Sequence, residues 1–316
     1  MKKIYLHDST PSWECHRSGW NACIAQMQEH LHDESTLTAL VPHVEAIFAE
    51  NINIVEPWIG FVHNTPNHPE SMWEMYDRFG VDMNTFFESE DWKKCEPRCK
   101  GLFVMSNYAE KHIKTMTRVP VETVYHPTEF PEIVFSPEKF IGNRNKRALF
   151  IGHWLRDYKS LYQIRTANFT KTLLKSTGGV DYKKVFSSYD IPLICPDVEH
   201  MDFVSNEDYD RLLESNIVFV RLHDASANNT VIECMTRNTP LIINKLPAVV
   251  EYLGEEYPLY YDEITEAESK IDDEDLILEG HEYLKQMDKS KLKFDNFINA
   301  IIESNIYKNI STKVLM

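Results

Sequence analysis

The sequence predicts an α/β fold of two domains, each a mainly parallel sheet covered by helices. Three observations carry that prediction. Short apolar runs that end in a polar residue alternate along the chain with segments of helical spacing. Several runs, such as NIVFVRL and PLIIN, are apolar at consecutive positions, as strands buried on both faces are. Between residues 129 and 147, two prolines, a glycine and the mixed-charge NRNKR break the rhythm and mark an interdomain linker.

Taken in order, Lys3–Asp8 (KIYLHD) reads as an opening strand. After the turn-like STPSWECHRSG, the segment WNACIAQMQEHLH places Trp20, Ile24, Met27 and Leu31 at helical spacing, a helix packed on a sheet. A further helix is expected around Pro42–Glu50. WIGFVHN, LFVMSN and VETVYHP then read as strands, with a helix at Asn107–Met116 between the last two. The second domain opens at Arg147 with ALFIGH. MDFV, SNEDYDRLLES, NIVFVRL, NNTVIECMTRN and PLIIN follow as alternating strands and helices. Ser205, three residues before Asp208, has the form of a helix N-cap, and Leu212 and Leu213 supply that helix's buried face. Arg165–Asp197 carries the weakest pattern. An amphipathic segment, LKFDNFINAIIES, closes the chain. The division is 1–140 for an N-terminal acceptor-side domain and 147–300 for a C-terminal domain, with 301–316 a helix packing back on the first.

Composition excludes several classes. The 316 residues are 43% hydrophobic and 26% charged, which is globular rather than disordered. No run of eighteen apolar residues spans a membrane, and MKKIYLHDST lacks a signal-peptide core. A net charge of −16 repels nucleic acid and anionic membrane surfaces, so no nucleic-acid partner is expected. The six cysteines are scattered, which suits free thiols in the cytoplasm. Cys95 and Cys99 alone lie close, without the repeated pattern of a zinc or redox site.

The stretch from Val204 to Gly254 carries the most information. It resembles the C-terminal signature of GT-B glycosyltransferases, particularly the large retaining group (glycosyl transferases group 1) that includes sucrose synthase and bacterial cell-surface transferases. Glu233 stands at the family's second glutamate, Asn238, Thr239 and Pro240 form its turn, and the next helix begins near Pro247 and contains Glu251. VMSNYAEKHIK and VETVYHPTEF resemble the end of the family's first domain, and ALFIGHWLRDYKS the start of its second, all in the right order. The resemblance implies two Rossmann-like domains facing each other across a cleft. It also implies a UDP-sugar or GDP-sugar donor, a glycan or small hydroxyl acceptor, and hexosyl transfer with retention. One departure stands out: Ala225 occupies the position, eight before Glu233, where the family places an acidic residue, and Asp224 is its neighbour.

The residues themselves fit that chemistry. Glu233 can accept hydrogen bonds from the vicinal hydroxyls of a ribose, the role the resemblance also assigns; the bland alternative is an acid stabilising a helix N-terminus. A diphosphate leaving group needs positive charge. Arg156 and Lys159 follow the strand ALFIG as candidates, against a solvated helix start. Gly152 allows close backbone approach. Ala227, Asn228, Asn229 and Thr230 precede the helix of Glu233, whose free N–H groups can hold phosphate. No convincing Asp-x-Asp pair for divalent metal coordination appears, and no obligatory metal or cofactor is expected.

In the first domain His63 ends a strand, where α/β sheets gather ligands. The family often has a histidine there, near the transferred sugar. His68 follows five residues later, with no third ligand to make a metal site. In SWECHRSGW the acceptor-side candidates are His16, Arg17 and Trp20 beside Gly19. Trp13 or Trp20 stacks on a sugar face, or both are packing residues. Asp8 is an acceptor-side carboxylate or a structural loop residue, and with inversion His16 or Asp8 would be the base. Two other readings remain at this point: a non-catalytic sugar or nucleotide-sugar binder, and a nucleotide-sugar epimerase.

Overall fold

The computed structural model describes residues 4–7, 19–45, 47, 54–67, 82–176 and 180–310. The chain divides into two compact units, residues 1–128 together with 290–316, and residues 129–289.

Unit 1 holds β1 (Tyr5–Leu6), α1 (Trp20–Leu31), β2 (Ala39–Val41), β3 (Trp58–Phe61), α2 (Met83–Glu88), α3 (Glu90–Cys95), β4 (Cys99–Val104), α4 (Asn107–Ile113) and β5 (Val121–Thr123). The strands form one sheet in sequential order, every neighbouring pair parallel. Of the expected α1 stripe, Trp20, Met27 and Leu31 are buried, while Cys23 is buried in place of Ile24, which is only partly covered. The expected helix at 42–50 lies mostly outside the described residues; Pro42–Glu45 form a bend and turn. Cys95 and Cys99 are buried free thiols.

Unit 2 begins earlier than expected. The supposed linker contains α5 (Pro137–Gly142), capped by Ser136 and started by Pro137. Phe140 is buried, and Lys139 and Asn143 bond to Glu214 and the Ser215 carbonyl. Proline and glycine here punctuate a short helix rather than a free connection. There follow β6 (Arg147–Ile151), α6 (Tyr158–Gln163), β7 (Thr170–Leu174), α7 (Tyr182–Ser188), β8 (Val198–Met201), α8 (Asn206–Ser215) and β9 (Ile217–Val220). The unit continues through α9 (Asn229–Arg237), β10 (Leu241–Asn244), α10 (Pro247–Leu253), β11 (Tyr260–Tyr261), α11 (Ile264–Ile271) and α12 (Glu274–Gln286).

The strand expected at MDFV is displaced upstream. β8 is VEHM, an edge strand whose Glu199 pairs with Arg147, while Phe203 is exposed. The expected cap on α8 is present: Ser205 accepts from the Asp208 N–H. The sheet order is β11-β10-β9-β6-β7-β8, all parallel. The chain winds outward from β6 to β8, then returns to β9 beside β6 and winds the other way. The carboxyl ends of β6 and β9 therefore flank the topological switch point, where doubly wound sheets bind ligands.

The chain ends in unit 1. There α13 (Phe294–Glu303) sets Phe297 against Trp20 and Phe61. In α14 (Asn305–Lys308) the Asn305 and Ile306 N–H groups donate to Glu122, and Ile306 lies so close to Gly101 that a Cβ there would meet it at 2.5 Å. No helix among the described residues is long and apolar enough to cross a membrane.

Candidate functional site

The switch point of unit 2 is built around Arg156. β6 ends at Ile151, and Gly152 turns the chain with φ 88°. Leu155, at φ 56°, bends it again, so the Arg156 side chain folds back over the strand end. Arg156 is 3% exposed. Its Nε donates to the Ile151 carbonyl (2.8 Å) and Nη1 to the Trp154 carbonyl (2.9 Å). Nη2 donates to Asn228 Oδ1 (3.1 Å) and Thr230 Oγ1 (2.8 Å). These four acceptors are neutral: they orient the guanidinium without cancelling its charge.

Asn228 and Thr230 belong to the start of α9, and Asn228 also caps it by accepting from the Val231 N–H. One side chain thus ties a cation to a helix N-terminus, and both favour an anion in the same place. The expected residues Gly152, Arg156, Asn228, Asn229 and Thr230 all lie at this strand and helix edge. Asp224 and Ala225, on the loop after β9, are buried there too. Lys159 lies apart from the bonded group: it is exposed on α6, and its ammonium makes no hydrogen bond or ion pair among the described residues.

Sequence reading missed the scaffold of this turn. Tyr189 Oη donates to the Arg156 carbonyl (2.8 Å) and lies 2.9 Å from His223 Nε2, while the His223 N–H donates to the Leu155 carbonyl (3.0 Å). Tyr189 falls in the stretch of weakest pattern, so only its aromatic type signalled it. Burial, with Arg156 beside it, lowers the His153 pKa to about 4, so that ring is neutral at pH 7.

Gly152 has a geometric reason to be glycine. A Cβ there would stand 2.6 Å from Arg156 Nη2, at a φ that L-residues rarely adopt. Gly152→Ala is expected to cost about 1–3 kcal/mol and displace the guanidinium. Urea unfolding checks this, and a variant as stable as the wild type would contradict it.

Glu233 lies one turn into α9 and is 2% exposed. Tyr209 of α8 donates to its Oε2 at 2.5 Å. Burial, then the Glu233 charge, pushes the Tyr209 phenol well above its usual range, so it stays a donor. One turn later, Arg237 is 1% exposed; its Nε donates to Asp210 Oδ1 (2.9 Å) and Nη2 to Glu129 Oε1 (2.7 Å). Burial works against that cation, but Glu233 and Asp210 outweigh it and raise its pKa. Glu233 therefore stands in a packed polar network that its sequence position did not reveal.

In unit 1, His63 follows β3. Its ring Nε2 donates to the Pro42 carbonyl (2.9 Å), and burial with the adjacent His43 lowers its pKa to about 3. Trp20, expected on the acceptor side, is buried at the start of α1. Its ring meets Phe61, His63 and His126 at 4.8, 4.5 and 5.7 Å between centroids. Its helical register with Cys23 and Met27 turns it inward. Asp8, Trp13, His16, Arg17 and His68 lie outside the described residues. Among the described residues no three His, Cys, Asp or Glu side chains gather as a metal set. An open groove lined by Arg144, Lys146, Glu268 and Asp272 holds none of the expected site residues.

No family model matches the chain, and no curated protein matches it in sequence. Among solved structures it is similar to HepE of Anabaena in complex with UDP-glucose, at 11% identity and TM-score 0.65, over 96% of this chain and 98% of that one. It is also similar to sucrose-phosphate synthase of Thermosynechococcus elongatus, at 10% identity and TM-score 0.59, over 93% of this chain and 80% of the other. A third is α,α-trehalose 6-phosphate synthase of Burkholderia multivorans, at 9% identity and TM-score 0.54, over 89% and 72%. At such identities the likeness establishes the fold: two α/β units, each with a parallel sheet, as in GT-B glycosyltransferases.

Proposed function

We propose that this chain is a glycosyltransferase whose second unit binds a nucleoside-diphosphate sugar, a UDP-sugar before a GDP-sugar, and passes its hexose to a glycan or other hydroxyl acceptor. The observation that carries the reading is Arg156, locked by its own strand end onto the N-terminus of α9 at the switch point. The fold supports it, and so does the crystallisation of HepE with UDP-glucose and with UDP and glucose.

In this reading the diphosphate sits on the first N–H groups of α9 beside Arg156. Negative charge grows on the leaving phosphate as the glycosidic bond breaks, and cation and helix terminus together stabilise it. Lys159, exposed on α6, adds a second cation once donor is bound. Glu233 accepts from the ribose hydroxyls while Tyr209 holds its other oxygen. Retention of anomeric configuration follows the sequence resemblance.

Glu233→Ala is expected to weaken UDP binding tenfold or more, about 1.4 kcal/mol. Glu233→Gln, which keeps an acceptor for Tyr209, separates donor contact from packing. Calorimetry against UDP and GDP checks both, and unchanged affinity in a folded Glu233→Ala would remove that carboxylate from the donor site.

One observation favours a second reading, a non-catalytic binder of the same donor. Position 225 holds a buried methyl group rather than a carboxylate. Binding of UDP-glucose without turnover, across a panel of sugar acceptors, would select it.

A further inference from the structure

Glu45 is fully buried at 0% exposure, and its oxygens are unequally used. Oε1 accepts from two successive backbone N–H groups, those of His63 (2.7 Å) and Asn64 (2.6 Å). Oε2 lies 3.7 Å from His43 Nδ1 and has no hydrogen bond among the described residues. Burial raises the pKa of this carboxyl against the pull of those N–H groups. A carboxylate is a costly way to close a strand-end loop, since a serine or asparagine would satisfy the same donors.

What distinguishes the arrangement is that one short segment grips His63 twice. Glu45 holds its backbone, and the Pro42 carbonyl, three residues earlier, holds its ring at Nε2. A carbonyl only accepts, so Nε2 carries the proton and Nδ1 is the lone-pair nitrogen of a neutral ring. The ring is also wedged between Trp20 and His43, each 4.5 Å away by centroid. Backbone, tautomer and ring plane are thus all fixed at the carboxyl edge of a parallel sheet.

We propose that Glu45 is a positioning residue: it sets His63 and Asn64 in the orientation in which they meet a sugar acceptor at the carboxyl edge of the unit 1 sheet. The geometric part stands on unit 1 alone; the sugar rests on the glycosyltransferase reading. Because Glu45 acts through a shared acceptor oxygen, geometry matters more than charge. Glu45→Gln keeps that oxygen and Glu45→Ala removes it.

The test has two arms. In nitrogen-15 NMR of the full-length protein, the His63 imidazole is expected to show one neutral tautomer, protonated at Nε2, in wild type and Glu45→Gln. In Glu45→Ala it should show tautomer averaging. In kinetics with UDP-glucose, Glu45→Ala is expected to lower kcat at least tenfold with KM for the donor within about twofold, while Glu45→Gln stays within about threefold of wild type. If Glu45→Ala does not fold, Glu45→Asp, which withdraws the carboxylate by one methylene, should give the same shift. A folded Glu45→Ala with an unchanged His63 tautomer overturns the proposal, as does equal damage from Gln and Ala. A wild-type protein that turns over no nucleotide-sugar sinks the activity reading, and the NMR arm still decides Glu45.

Discussion

Arg156→Ala should lower turnover of a nucleotide-sugar by about 10²–10³, the usual loss when one preorganised donor to a developing anion is removed. The expectation is this large because the guanidinium is already in place: its bonds to Ile151, Trp154, Asn228 and Thr230 fix it before any ligand arrives. No reorganisation is needed at the moment charge develops. Arg156→Lys should rescue little, since one ammonium cannot span four acceptors that lie in a guanidinium's fork. Donor affinity should fall less than turnover if the contact strengthens in the transition state. Initial rates with UDP-glucose, beside calorimetric UDP binding, measure both quantities. Wild-type turnover in Arg156→Ala would remove the phosphate clamp from the mechanism.

The largest stability effect is expected at Arg237. Its cation is buried against Asp210 and Glu129, and removing one partner of such a group costs about 3–5 kcal/mol because the other charge stays behind. Asp210 is itself buried, so Arg237→Ala takes the guanidinium from a carboxylate that is largely shielded from solvent. Replacing the pair together, Arg237→Met with Asp210→Leu, should recover most of the loss, since well-packed apolar groups often match a buried ion pair. Urea unfolding gives the comparison, with the midpoint shifting at constant slope. A single variant within about 1 kcal/mol of wild type would mean that the network carries little of unit 2's stability.

Much of this was legible in the sequence for identifiable reasons. β6, β9 and β10 are continuous apolar runs because both faces of their sheet are covered, and such runs declare themselves. The cap at Ser205 and the residues around Gly152 and Asn228 depend on local geometry, which short motifs record. What escaped depends on distance along the chain. β7 opens with Thr-Lys-Thr and β8 carries Glu and His, so neither has an apolar signature. Tyr189 reaches Arg156 across 33 positions, and Glu45 reaches His63 across 18, contacts that no periodicity encodes. PHVEAIF reads only as part of a helix and marks no role for its glutamate, whereas Glu45 sits at zero exposure beneath a strand end. The helix α5 was hidden because proline and glycine punctuate helices as readily as linkers.

Unit 1 is assembled from two separated pieces of chain, its last contributed by residues 290–316. At ribosomal rates of about 5–20 residues per second, everything between takes on the order of ten to thirty seconds to emerge. Throughout that interval Trp20 and Phe61 await Phe297, and Gly101 awaits Ile306. Unit 1, whose first piece is synthesised before unit 2, is therefore completed only after it, and its nascent form carries an uncovered aromatic surface until residues 294–308 have emerged.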